Sequence, residues 1–153
     1  MIHAYDKNYL DKAQVTLASM LDYAINDLSL DISTFFDLFI ASDKAALFES
    51  GDPNTLVGRS GTELVMEVLH QSNIPFESAP PSPRFDRTKE YWCGWALAYY
   101  QWSTALSFSY IIHYVPISEI LALYDPYHEM DIRQFCDQMN ELMHHSQPEI
   151  NLQ

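Results

Sequence analysis

The sequence predicts an all-α fold, a single-domain helical bundle of about six to seven helices with a helix-turn-helix-like pair in the C-terminal half. Three observations carry that expectation. Apolar residues recur at intervals of three or four, the period of a one-sided helix. Short oxygen-bearing side chains that can open a helix precede several of these runs. Alternating Val, Ile and Thr segments bounded by tight turns are almost absent, and glycines number only 4, so strands have little support. The chain of 153 residues has the ordinary size of one domain, 1–153, and can bury roughly two-thirds of its unfolded surface.

The elements follow in order. From about Lys7 to Leu28, the residues Leu10, Ala13, Leu17, Leu21, Ala24 and Leu28 fall on one side, with Asp11, Lys12, Asp22 and Asn26 between them. Asp31 or Ser33 can cap a second helix carrying Phe35, Phe36, Phe39 and Ile40, because their side chains can accept from the free amides of a first turn. Gly51 interrupts the path. Pro53 suits the first turn of a short helix ending near Gly58, where its missing N–H costs nothing. Ser60 and Glu63 have the spacing of a capping box ahead of Leu64, Val65, Val68 and Leu69.

Residues 72–87, SNIPFESAPPSPRFDR, hold four of the 8 prolines. Proline lacks an amide donor and disfavours helix in the residue before it, so this segment should be an extended connection along the surface. Thr88 or Lys89 then opens the helix KEYWCGWALAYYQWSTAL. The stretch SFSYIIHYVPISEILALY, 107–124, reads as two short helices joined near Val115 and Pro116, with Ile117, Ile120 and Leu121 packing inward. A last helix should run from about His128 to His145, and residues 147–153 should fray.

Charge narrows the function classes. The chain carries 21 Asp and Glu against 8 Lys and Arg, a net charge of −13, and its pI is near 4.5. Such a surface repels phosphate backbones and steers basic proteins toward itself. The second half is the more one-sided: residues 90–153 contain eight acids and one base, Arg133. A recognition helix brings cations or amides to base edges and phosphates, yet PISEILALY offers only Ser118 and Glu119. The helix-turn-helix rhythm is therefore expected to serve packing, with no direct contact to nucleic acid. A transcriptional regulator using residues 107–124 is the alternative reading.

Chemistry-bearing motifs are sparse. No P-loop, G-x-S-x-G elbow or Rossmann glycine pattern occurs. His128, Glu129 and Asp131 lack metal-ligand spacing and do not share a helical face, so they read as a helix start with acids at the positive end of its dipole. Cys93 and Cys136, 43 residues apart, match no zinc or redox motif and are expected to be free thiols. A non-enzymatic protein without metal or cofactor is the resulting expectation, with a small helical enzyme as a further alternative. No secretory signal is visible and no apolar run approaches the ~20 residues of a membrane span, so the cytoplasm is the expected location and no membrane the expected partner.

The aromatic helix is the strongest local feature. Trp92, Trp95, Tyr99 and Trp102 fall on one stripe continued by Leu106, while Gly94, Ala98, Gln101 and Ala105 form a narrow face that another helix can approach closely. Aromatic residues at this spacing usually build core. Tyr91 and Tyr100 point elsewhere, and any that stay exposed would suit a protein interface. The expected partner-binding set is Tyr91, Trp92, Trp95, Tyr99 and Tyr100, rimmed by Glu90, Glu119, Glu129 and Asp131.

The succession GWALAYYQW, then Ser107, Phe108 and Ile111 leading to VPISEI, then LYDPYHEMDIRQF resembles a family of small, uncharacterised acidic bacterial proteins associated with toxin–antitoxin modules, including modules whose toxin is ADP-ribosyltransferase-like. The resemblance covers about residues 4 to 143. It implies an antitoxin-like or accessory role, binding and masking a basic protein such as a toxin, and it transfers no catalytic residue.

Overall fold

The computed structural model of the chain describes residues 2–77, 79–82, 84 and 86–146. Among them are ten α-helices and no strand. The all-α class stands, while the expected count of six to seven helices is too low. The expectation of a frayed tail at 147–153 falls outside the described residues.

The first predicted helix is three pieces. A 3₁₀ turn, Lys7–Tyr9, leads into α1, Leu10–Asp22, and a π-helical turn, Tyr23–Asp27, closes it before Ser29 at φ 60°. The second predicted helix divides at Ser42 into α2, Ile32–Ala41, and α3, Asp43–Glu49. Ser42 does both jobs: its N–H donates to the Leu38 carbonyl at 3.0 Å, and its hydroxyl accepts from the Lys44 amide at 3.2 Å. Apolar spacing runs through such a cap without registering it. Asp31 caps α2 by accepting from the Thr34 amide at 3.0 Å.

Local signals are obeyed elsewhere. Pro53 occupies the first turn of α4, Pro53–Leu56, which Asp52 caps. In α5, Gly61–Gln71, both arms of the capping box form: Ser60 Oγ accepts from the Glu63 amide at 3.1 Å, and Glu63 accepts from the Ser60 amide at 2.9 Å. Thr88 caps α6, Lys89–Thr104, which ends at a left-handed Ala105, φ 59°. Ser107 caps α7, Phe108–Tyr114, and α8, Ile117–Ala122, follows the turn at Val115 and Pro116. The last predicted helix begins later than expected. A short α9, Tyr124–Tyr127, precedes it, and α10 spans Ile132–Ser146.

Helices α1 and α6 run antiparallel through the centre. Their pairing is tied at three heights: the Ala4 amide donates to the Trp102 carbonyl at 2.9 Å, Gln14 Nε2 to the Trp95 carbonyl at 3.3 Å, and Thr88 Oγ1 to Asp22 Oδ1 at 2.7 Å. Gly94 makes the close approach possible, because a Cβ there would stand 2.5 Å from the Leu17 carbonyl oxygen and 2.7 Å from Ala18 Cα. Around this pair Leu17, Leu21, Leu64, Val68, Leu97 and Phe135 form part of a continuous apolar core. A second focus is Phe108, whose ring meets Phe36, Phe39 and Phe48 at centroid distances of 5.8, 5.7 and 5.7 Å. Helix α8 packs on α2 and α6, and α7 on α10, so the helix-turn-helix-like pair presses its apolar residues Ile111, Ile117 and Ile120 inward.

The proline-rich connection is strapped to the π-helical turn. The Tyr23 hydroxyl donates to the Ala79 carbonyl. The Ser82 amide donates to Asp27 Oδ1 at 3.2 Å, and the Arg84 guanidinium spans Asp22 at 2.9 Å and Asp27 at 3.0 Å. The Asp27 side chain is only 3% exposed, so losing its cation would strand a buried carboxylate. Arg84 is itself a quarter exposed, which places the effect between a surface pair and a buried one. Arg84→Ala is expected to cost about 1.5 kcal/mol in urea denaturation and to open cleavage between residues 74 and 88 in limited proteolysis. An unchanged midpoint with unchanged cleavage would count against the strap.

Candidate functional site

Helix α6 carries most of the residues expected to bind a partner, and the structure sorts them. Cys93, Ala96, Leu97 and Ala98 are buried, and Gly94 of the predicted narrow face lies against Leu17 and Ala18 of α1. Ala105, expected on that face, instead ends the helix. Tyr91, Trp95 and Tyr99 are half-buried, four residues apart, and form the visible aromatic strip. The strip is therefore led by Tyr91, one residue before the predicted Trp92.

Three expected surface residues belong to the interior. Tyr100 is 1% exposed and donates its hydroxyl proton to Asn140 Oδ1 at 2.7 Å. Burial pushes its phenol up to about 12. It is covered by α10, whose Phe135 ring stands edge-on at 6.4 Å. Trp92 retains 9% exposure and meets Phe135 at 5.2 Å and Tyr124 at 5.8 Å, both edge-on. Glu90, expected on the rim, is 7% exposed and accepts from Asn26 Nδ2 at 3.1 Å. The π-helical turn beside it brings Asn26 within reach, which periodicity could not show.

The other rim residues are exposed. Glu119 stands on α8, and Glu129 follows α9 with its carboxylate 3.9 Å from His128 Nε2. Asp131 opens α10: it accepts from the Arg133 amide at 2.9 Å and from the Arg133 guanidinium at 3.1 Å. Those bonds hold its carboxyl below the usual range. With Asp125, Asp137 and Glu141, they give α8 to α10 six exposed carboxylates. The one base of this region, Arg133, is already engaged by Asp131.

Four of the eight bases are in ion pairs with carboxylates among the described residues: Lys44 and Arg59 with Glu67, Arg84 with Asp22 and Asp27, and Arg133 with Asp131. At Glu67 burial works to raise the carboxyl, but the Arg59 and Lys44 contacts outweigh it and leave it lowered.

A hollow of about 330 Å³ opens beside the aromatic strip, lined by Val15, Arg87, Tyr91, Trp92 and Trp95. Its walls are mainly apolar carbon. The Arg87 guanidinium carbon lies 4.3 Å from the Tyr91 ring centroid. None of the four expected rim acids lines this hollow. Val15 and Arg87 were missed in the sequence; the one available sign was an apolar Val15 among polar neighbours on the outer side of the first helix.

No family model, curated protein or solved structure matches the chain.

Among the described residues no group of three or more His, Cys, Asp or Glu side chains is placed to hold a metal ion. His128 stacks on Tyr124 at 4.0 Å, with Nδ1 2.7 Å from the Tyr124 carbonyl oxygen. No helix among the described residues is long and apolar enough to cross a membrane.

The two thiols are free. Cys93 is fully enclosed, and burial drives its thiol far above the ordinary range. Burial, with Asp137 nearby, pushes Cys136 up to about 11. A thiol with that value is ionised at roughly one part in a thousand at pH 8. Labelling of native protein with a neutral maleimide is accordingly expected to be slow at Cys136 and undetectable at Cys93 until the chain unfolds. Rapid native modification of Cys93 would contradict the enclosure.

Proposed function

We propose that this chain is a non-enzymatic protein-binding module that binds and masks a basic protein partner, in the manner of an antitoxin. The observation that carries the reading is the surface of α8 to α10, where six carboxylates are exposed and the one cation is internally engaged. Opposite charge on a partner speeds encounter, while desolvated aromatic side chains govern how long a complex lasts. The same arrangement disfavours a polyphosphate, since binding one depends on cations that neutralise it. A cytoplasmic antitoxin role is in keeping with the resemblance, over about residues 4 to 143 and most distinctive in the second half, to proteins associated with toxin–antitoxin modules.

The test compares the tagged chain with a Glu119→Lys, Glu129→Lys, Asp137→Lys variant in its native host. The wild type should retain a basic protein in stoichiometric amount at low salt, and the charge variant should associate with that purified protein about tenfold more slowly. Retention that ignores both salt and the three substitutions would sink the electrostatic reading.

A further inference from the structure

Two hollows meet at the start of α6 and share Arg87 and Tyr91. The apolar one, about 330 Å³, has Val15, Trp92 and Trp95 as its remaining walls. The polar one, about 250 Å³, is completed by Asp22, Ser82, Arg84, Asp86 and Thr88. The two arginines differ in their engagement. Arg84 is held by Asp22 and Asp27, whereas Arg87 is exposed, makes no ion pair among the described residues, and rests on the face of Tyr91.

A ring face attracts a cation through its quadrupole, most strongly where the walls exclude water. This site supplies a tyrosine face, two indoles and the 40% exposed side chain of Val15 as an apolar edge. Carboxylates lie close by: Asp22 and Asp86 line the adjoining hollow, and the buried Glu90 precedes Tyr91 with no cation paired to it among the described residues. The field of the chain, −13 overall, favours the same sign of ligand.

We propose that the apolar hollow seats an arginine side chain of the basic partner, and that Arg87 is its intramolecular occupant. The inference rests on the protein-binding reading above and adds the side chain recognised. Arg87 stands one residue before the cap of α6, where the Thr88 hydroxyl accepts from the Tyr91 amide at 3.0 Å, and as an exposed residue its side chain can swing into solvent. A partner's guanidinium would then take its place over Tyr91 and against Trp95. Self-occupation lowers the apparent affinity by the fraction of time the seat is filled.

The experiment follows the indole N–H resonances of the whole chain as N-acetyl-arginine amide is added, with N-acetyl-norleucine amide as neutral control and phenylacetate as anionic control. The arginine probe should move the Trp92 and Trp95 signals. It should leave Trp102 still, since that indole donates to the Tyr5 carbonyl at 2.8 Å away from the hollow. Arg87→Ala should bind the probe about fivefold more tightly, the gain expected on removing one exposed cation–π occupant. Equal affinity in wild type and Arg87→Ala overturns the proposal. So does preferential binding of phenylacetate that vanishes in Arg87→Ala, which would make the arginine a receptor for anions. If a basic protein is captured through the α8 to α10 carboxylates while the arginine probe leaves Trp95 unmoved, the seat is wrong and the protein-binding reading survives. If the probe binds but no basic protein is retained, the protein-binding reading falls and takes the partner assignment with it.

Discussion

Gly94→Ala is expected to destabilise the protein by about 3 kcal/mol, although the same change in an exposed helix would stabilise it by about 1 kcal/mol. The two effects have opposite signs, and geometry decides between them. The added methyl would sit 2.5 Å from the Leu17 carbonyl oxygen, 2.7 Å from Ala18 Cα and 2.8 Å from the Ala18 nitrogen. All three are backbone atoms of α1, so no side-chain rotation relieves the clash, and the central helix pair has to separate. Domains of this size lose roughly 2–4 °C per kcal/mol, so calorimetry should show a melting point about 9 °C lower. A melting point equal to or above that of the wild type would mean that α1 and α6 do not approach as described.

Phe108→Ala is expected to cost about 4 kcal/mol, within the range for a fully buried phenylalanine replaced by a methyl group. The ring has no solvent exposure and is the common neighbour of Phe36, Phe39 and Phe48, rings contributed by α2 and α3. Its amide also donates to Glu49 Oε2 at 2.5 Å. Burial raises the Glu49 carboxyl, and the Phe108 bond only partly offsets that rise. The substitution thus opens a cavity where three helices converge, against a total stability of about 5–15 kcal/mol for ordinary domains. Urea denaturation should show the midpoint falling steeply, with Phe108→Leu intermediate. A loss below about 1 kcal/mol would indicate that the site can collapse around the missing ring.

Both residues illustrate what the sequence could and could not convey. Gly94 was legible as part of a narrow face, because small side chains at helical spacing reveal where a neighbour can come close. The caps at Ser60 and Thr88 and the proline turn at Pro53 were legible for a similar reason: each acts within four residues of itself. Ser42, by contrast, stops one helix and starts another inside an apolar run that looks continuous. The short α9 broke the expected start of the last helix in the same way.

The site was harder to read than the fold. Which aromatic side chains of α6 stay open depends on what α1, α9 and α10 cover, and that is decided by residues far along the chain. Tyr100 is lost to Phe135 and Asn140, and Trp92 to Tyr124 and Phe135. Tyr91, Trp95 and Tyr99 remain because no helix lies over them completely. The acids of α8 to α10 were legible as charge but not as a surface of their own, set apart from the aromatic hollow and its arginine.

The wide turn at Tyr23–Asp27 fixes a spacing that ordinary helical winding would forbid. Five residues along an α-helix rotate a side chain about 140° out of line with its starting point, so Asp22 and Asp27 would point apart. With hydrogen bonds reaching to the fifth residue, the two carboxylates align well enough to grip one guanidinium. Adding or removing a single residue in this stretch would therefore misalign the grip on Arg84, and the segment that carries Arg87 to the aromatic strip would lose its mooring.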